Sequence, residues 1–147
     1  MPGTSEGGPD GPDPYLFFDG DCAEAFQTYA RLFGDGAPEI MSAGQMPPAE
    51  LEKFPPEMRD KTMHAALKVG EGWLYGSDDL AGSPNPMAGC NVHLSFPDMD
   101  TARRVYDALA EGGAAGMPLE PTFWSPGFGA LSDRWGIRWM ISVDTPA

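Results

Sequence analysis

The sequence predicts an α+β fold built from two copies of one strand–helix–strand–strand–strand module. Three observations carry that prediction. Two amphipathic helical segments, each opened by Asp and closed by Gly, lie in the two halves of the 147-residue chain. One apolar strand segment precedes each helix and further strand segments follow it. Residue types also recur at a fixed spacing. Adding 79 to Asp19, Asp21, Ala23 and Gly34 gives Asp98, Asp100, Ala102 and Gly113, and Phe17 plus 79 gives Phe96. Self-similarity at a constant offset is the signature of a repeated structural unit.

The elements follow in order. Pro14–Asp19 is a short aromatic run and reads as the first strand. Asp21 with Glu24 three residues on resembles a capping box, and Cys22, Ala25, Phe26, Tyr29 and Phe33 recur at helical spacing. Gly34 is the stop, so the helix spans 22–33. Ala37–Ser42 is a second strand. Met46–Asp60 holds Pro47, Pro48, Pro55 and Pro56, which leaves a long loop with at most one helical turn. Thr62–Val69 and Gly72–Ser77 form a hairpin about Gly70-Glu71-Gly72. Asp78–Gly89 is a linker.

In the second half Asn91–Phe96 is a strand, Asp100 caps a helix through Ala102, Val105, Tyr106 and Leu109, and Gly112-Gly113 ends it. Ala115–Phe123, Phe128–Asp133 and Ile137–Val143 are the remaining strands, the last two joined at Arg134-Trp135-Gly136. The organisation is a tail at 1–13, a first module over 14–78, a linker over 79–89 and a second module over 90–143, within one domain over 14–147.

Composition narrows the function classes. The net charge of −13 excludes a phosphate-binding basic face, so neither nucleic acid nor an anionic membrane surface is a partner. Two cysteines, Cys22 and Cys90, are too few for a disulfide scaffold and fit a reducing cytoplasm. Met1–Asp13, with four Gly and three Pro and no apolar run, reads as a disordered tail rather than a signal peptide.

Several segments resemble PhnB-like proteins: Pro14-Tyr-Leu-Phe-Phe-Asp-Gly-Asp-Cys-Ala-Glu-Ala-Phe, Met63-His-Ala-Ala-Leu, Ser77-Asp-Asp, and Met117-Pro-Leu with Thr122-Phe-Trp. The most specific is Phe128-Gly-Ala-Leu-Ser-Asp-Arg-Trp-Gly-Ile-Arg-Trp-Met-Ile. The resemblance implies the vicinal oxygen chelate superfamily, which includes glyoxalase I, extradiol dioxygenases, fosfomycin-resistance enzymes and bleomycin-binding proteins. It implies that the two βαβββ modules form a cup-shaped eight-stranded mixed sheet with helices on the outer face, in a homodimer. Many PhnB-like proteins are described as 3-demethylubiquinone 3-methyltransferase-like. No Gly-rich loop follows a strand and opens a helix here, as a nucleotide-type cofactor requires.

Catalytic members of that superfamily hold a divalent metal with His and Glu. The resemblance places those four positions at Pro14, near Tyr75, at Asn91 and near Met140, none of them His or Glu. Pro has no donor and Met is a soft ligand, so the expectation is no metal and no cofactor. Alternation puts Asn91, His93 and Ser95 on one strand face, which by the resemblance is the cavity face. His64 is either structural or part of a non-standard pair with His93 that needs a further ligand. The Asp78-Asp79 pair reads as a turn or capping element, and Cys22 as a buried thiol. The candidate ligand-binding residues are Phe18, Tyr75, Asn91, His93, Ser95, Trp124, Arg138 and Met140. Two functions remain open: metal-independent binding of a small, partly aromatic molecule, and a glyoxalase-type lyase or isomerase with an atypical or absent metal. A dimeric scaffold with no ligand is a third.

Overall fold

The computed structural model describes residues 7–80 and 82–145. The chain forms two compact units, Met1–Pro84 and Asn85–Ala147.

In the first unit β1 (Tyr15–Phe18), β2 (Glu39–Ser42), β3 (Thr62–Val69) and β4 (Gly72–Asp78) form a sheet in the order β1-β4-β3-β2. β1 runs parallel to β4 and the other pairs are antiparallel. The helix α1 (Cys22–Phe33) keeps the predicted bounds and buries Cys22, Ala25, Phe26, Thr28 and Tyr29. Strand alternation presents Leu16, Phe18, Ala65, Leu67 and Leu74 to the core. Phe26 meets Phe18 and Tyr29 edge-on at 6.1 and 5.9 Å, so one aromatic cluster joins helix and sheet.

The ends of α1 differ in mechanism from the prediction. Asp21 makes no side-chain cap bond. The Asp78 carboxylate, at the end of β4, instead accepts from the Cys22 amide at 3.0 Å and from the Thr62 amide at 2.8 Å. Gly34 is extended rather than left-handed. It is needed for room, because a Cβ there would lie 2.7 Å from Leu67 Cδ1. The proline-rich loop holds α2 (Pro48–Leu51) and a 3-10 turn at Pro56–Met58, more local helix than predicted, and a further 3-10 turn at Ala43–Gln45 precedes it. Gly70 at φ +55° supports the tight turn between β3 and β4.

The second unit repeats the topology. β5 (Val92–Phe96), β6 (Ala114–Glu120), β7 (Phe128–Ser132) and β8 (Arg138–Val143) take the order β5-β8-β7-β6, with β5 parallel to β8. The helix α3 (Met99–Ala110) buries the predicted Ala102, Val105, Tyr106 and Leu109. Its cap is Asp98, which accepts from the Thr101 amide at 2.8 Å, and not Asp100, which lies in the first turn. Trp139, Ile141 and Val143 of β8 are buried. Asp133 Oδ1 accepts from the Trp135 and Ile137 amides at 3.0 and 2.9 Å, and its Oδ2 from Trp139 Nε1 at 2.9 Å. That carboxylate fixes the final turn.

The eight strands therefore hydrogen-bond as two four-stranded sheets rather than one eight-stranded ladder. The repeat offset is also smaller than the matching residue types suggested. Asp79 N bonds Phe18 O as Asp144 N bonds Phe96 O, which aligns the strands at 96 − 18 = 78. The helices begin at Cys22 and Met99, an offset of 99 − 22 = 77. Of the predicted tail, residues 1–6 lie outside the described residues. Within 7–13 there is no helix or strand, and Asp13 Oδ1 accepts from the Trp73 amide at 3.2 Å.

Candidate functional site

Each sheet has one face against its helix and one face open, and the two open faces differ in chemistry. In the first unit β1 pairs Tyr15 with Tyr75 and Phe17 with Ser77. β3 adds Ala66 opposite Tyr75 and Lys68 opposite Trp73. Side chains on cross-strand partners share a face. Tyr15, Phe17, Trp73 and Tyr75 therefore form a layer with His64. Tyr75 stacks on Trp73 at 6.1 Å and 8°, and on His64 at 5.9 Å. Tyr15 lies 5.3 Å from Phe17 and 6.5 Å from Tyr75. Tyr15 is 45%, Phe17 55% and Trp73 36% exposed, so no described residue of this unit covers the layer. The Lys68 ammonium sits 5.7 Å from the Trp73 ring at its rim.

Of the predicted residues, Tyr75 belongs to this face and Phe18 does not. Phe18 is 2% exposed and packs beneath α1. Period-two alternation that sends Leu16 and Phe18 inward sends Tyr15 and Phe17 outward. Sequence reasoning missed Tyr15, Phe17 and Trp73, because Tyr-Leu-Phe-Phe is apolar at every position and carries no phase. The aromatic stripe of α1 was the available signal, since it needs aromatic partners on one side of β1.

In the second unit the register pairs His93 with Met140 and Ser95 with Ser142 across β5 and β8. β7 sets Ser132 opposite Arg138, Ala130 opposite Met140 and Phe128 opposite Ser142. Because Trp139, Ile141 and Val143 face the core, Arg138, Met140 and Ser142 face the other way. His93 Nε2 and Ser142 Oγ are hydrogen-bonded at 2.8 Å. Asn91 immediately precedes β5, and its Oδ1 is buried without a partner among the described residues. The structure thus brings His93, Ser95, Arg138 and Met140 onto one open face, with Asn91 at its end. Trp124 packs edge-on against Phe128 at 5.4 Å and against Phe123 at 4.7 Å, beside the row that holds Ser142. Ser125 Oγ donates to Gly127 O at 2.7 Å and Val143 O at 3.1 Å, which fixes the loop that carries Trp124.

The donors do not fit a hard divalent cation. Among the described residues no three His, Cys, Asp or Glu side chains gather as a metal would require. His64 is exposed and lies against the Tyr15 and Tyr75 rings, and His93 is bonded to a hydroxyl. Cys22 is fully buried, and burial followed by the nearby Asp78 charge pushes its thiol far up, so it is no nucleophile. No helix of the described residues is long and apolar enough to cross a membrane.

Comparison with known proteins agrees with this architecture. The family model described as Glyoxalase/Bleomycin resistance protein/Dioxygenase superfamily matches residues 11–141. The chain is 30% identical to Protein YjdN of Escherichia coli (strain K12), over 88% of this chain and 92% of that protein. The crystal structure of protein PA1353 from Pseudomonas aeruginosa superposes with a TM-score of 0.80 at 39% identity, over 92% of this chain and 98% of the other. A putative 3-demethylubiquinone-9 3-methyltransferase, PhnB protein, from Bacillus cereus superposes with a TM-score of 0.73 at 22% identity, over 90% and 98%.

Proposed function

The chain belongs to the Glyoxalase/Bleomycin resistance protein/Dioxygenase superfamily, and on that premise we propose that it binds a small, partly aromatic molecule without a metal. One observation carries the reading: the uncovered layer of Tyr15, Phe17, His64, Trp73 and Tyr75. Four large aromatic rings on an open sheet face are costly in water, at roughly 25 cal/mol per Å² of apolar surface, and they suit a planar ligand by stacking. The methyltransferase name belongs to a relative whose likeness, at 22% identity, supports the fold alone.

The protein is further proposed to be a cytoplasmic homodimer. Both its thiols are free, which fits a reducing compartment, and the dimer is what the family resemblance implies. The test is native mass spectrometry after incubation with a metabolite extract of the host. One organic adduct per chain, lost in Tyr75→Ala with the circular dichroism spectrum retained, supports the reading. No adduct, or an adduct indifferent to Tyr75→Ala, refutes it.

A glyoxalase-type lyase or isomerase is the second reading, favoured by the His93–Ser142 bond, which sets an imidazole beside a hydroxyl on an open face. His93→Ala separates the two. A binder loses a modest part of its affinity, whereas an enzyme loses turnover.

A further inference from the structure

The open face of the second sheet is as polar as that of the first is aromatic, and its charge runs against that of the chain. The protein carries 22 acidic residues against 9 Lys and Arg. Yet β5, β7 and β8 contain no Asp or Glu, and their single formal charge is the Arg138 cation. Arg138 makes no ion pair among the described residues. An arginine without an ion-pair partner among the described residues, on strands that carry no carboxylate, is open to an anionic group.

The neighbours of Arg138 strengthen that reading. Ser132 is its cross-strand partner, and His93 is the partner of Met140, two residues along β8. His93 is therefore diagonal to Arg138, at a Cβ separation of about 7–8 Å. One oxyanion spans that gap between a guanidinium and an imidazole. His93 already shares a hydrogen bond of 2.8 Å with Ser142, and Ser95 lies beside Ser142. Each of these groups carries an N–H or O–H, and the His93–Ser142 bond uses one of them. The nearest strand carboxylate, Glu120, lies opposite Phe128, at the end of the sheet away from Arg138.

We propose that this face binds the oxyanion of a small organic acid, carboxylate or phosphoryl. Arg138 is its charged partner, and the His93–Ser142 pair supplies one hydrogen-bond donor, the Ser142 hydroxyl or the His93 Nδ1–H according to the tautomer. The inference goes beyond the reading of the aromatic layer and gives the face of the second sheet a ligand class of its own: an organic anion. Arg138 supplies two parallel N–H donors to a pair of oxygens, the geometry that suits carboxylate and phosphate alike.

Calorimetric titration of the full chain with benzoate, phenyl phosphate and neutral benzamide tests this. The ring is common to all three probes, so only the anion differs. We expect benzoate, phenyl phosphate or both to bind at least tenfold more tightly than benzamide, and which of them leads identifies the source of the oxyanion. Arg138→Gln should remove at least tenfold of the anion's affinity while leaving benzamide unchanged. Ser142→Ala, a smaller change, should remove a few-fold. Anions that bind no better than benzamide overturn the inference, and the separate reading of the aromatic layer stands or falls on the Tyr75→Ala adduct test. An anion preference that persists in both variants overturns the assignment to this face.

Discussion

The backbone amide of Cys22 donates to the Asp78 carboxylate at 3.0 Å, across 56 residues of sequence. The same carboxylate takes the Thr62 amide at 2.8 Å. One buried side chain thus ties the end of β4 to the start of α1 and to the start of β3. The first turn of a helix leaves its amides without backbone partners, and a negative charge there also suits the helix dipole. Removing such a group strands two buried donors. Asp78→Ala should cost about 3 kcal/mol, read as a lower denaturant midpoint at unchanged slope. Asp78→Asn keeps an acceptor and should cost less. A variant Asp78→Ala as stable as the parent would show that water replaces the carboxylate.

Helix-to-sheet packing in the first unit turns on Gly76. A Cβ at this position would lie 2.7 Å from Phe26 Cε1 and 2.9 Å from Leu16 O. The Phe26 ring occupies the space that a side chain would need. Gly76→Ala should destabilise by about 1–3 kcal/mol through overpacking. Phe26→Leu frees part of that space, so the double variant should be more stable than the sum of the two single changes. Simple additivity, measured in the same denaturant series, would mean that the ring is not the obstacle.

The two thiols differ in access. Cys22 is fully buried, and its pKa is pushed well above the usual thiol range, by burial first and the Asp78 charge second. Cys90 is exposed. A thiolate is the reactive species, so a disulfide reagent at pH 8 should titrate one thiol per native chain quickly and the second only on unfolding. Cys90→Ala should abolish the fast phase. Two fast thiols in the native protein would contradict the packing of α1.

These residues also mark what was legible in the sequence. Period and stop signals gave both helices and the order of strands, because amphipathic spacing is a local property. Gly70 and the Asp133 turn were legible for the same reason. What could not be read was anything set by a distant partner. Asp78 was read as a turn or capping residue, but that it caps α1 depends on β4 lying beside β1, so the nearby Asp21 and Glu24 misled. The matching residue types at an offset of 79 likewise put the cap of α3 at Asp100, whereas Asp98 makes the bond. In the second unit the alternation of polar and apolar residues in β5 and β8 gave the open face directly. In the first unit the uniformly apolar β1 hid its phase, and Phe18 was assigned to the face where Phe17 stands.

The Asp98 cap makes a prediction in acid. Its carboxylate accepts from the Thr101 amide at 2.8 Å and the Thr101 hydroxyl at 3.2 Å. These bonds, the amide first, hold its pKa below the ordinary 3.8. A carboxyl whose folded pKa is depressed contributes stability that is present above the unfolded value and lost as pH falls through the folded value. At pH 7 Asp98→Ala should therefore lower the midpoint of denaturant unfolding. The difference from the parent should shrink from about pH 4 downward, as the parent's own carboxylate is protonated. Asp98→Ser accepts the same amide without titrating, so its stability relative to the parent should rise over that range. An Asp98→Ala penalty of equal size at pH 7 and pH 2 would mean that shape, and not the charged cap, holds the start of α3.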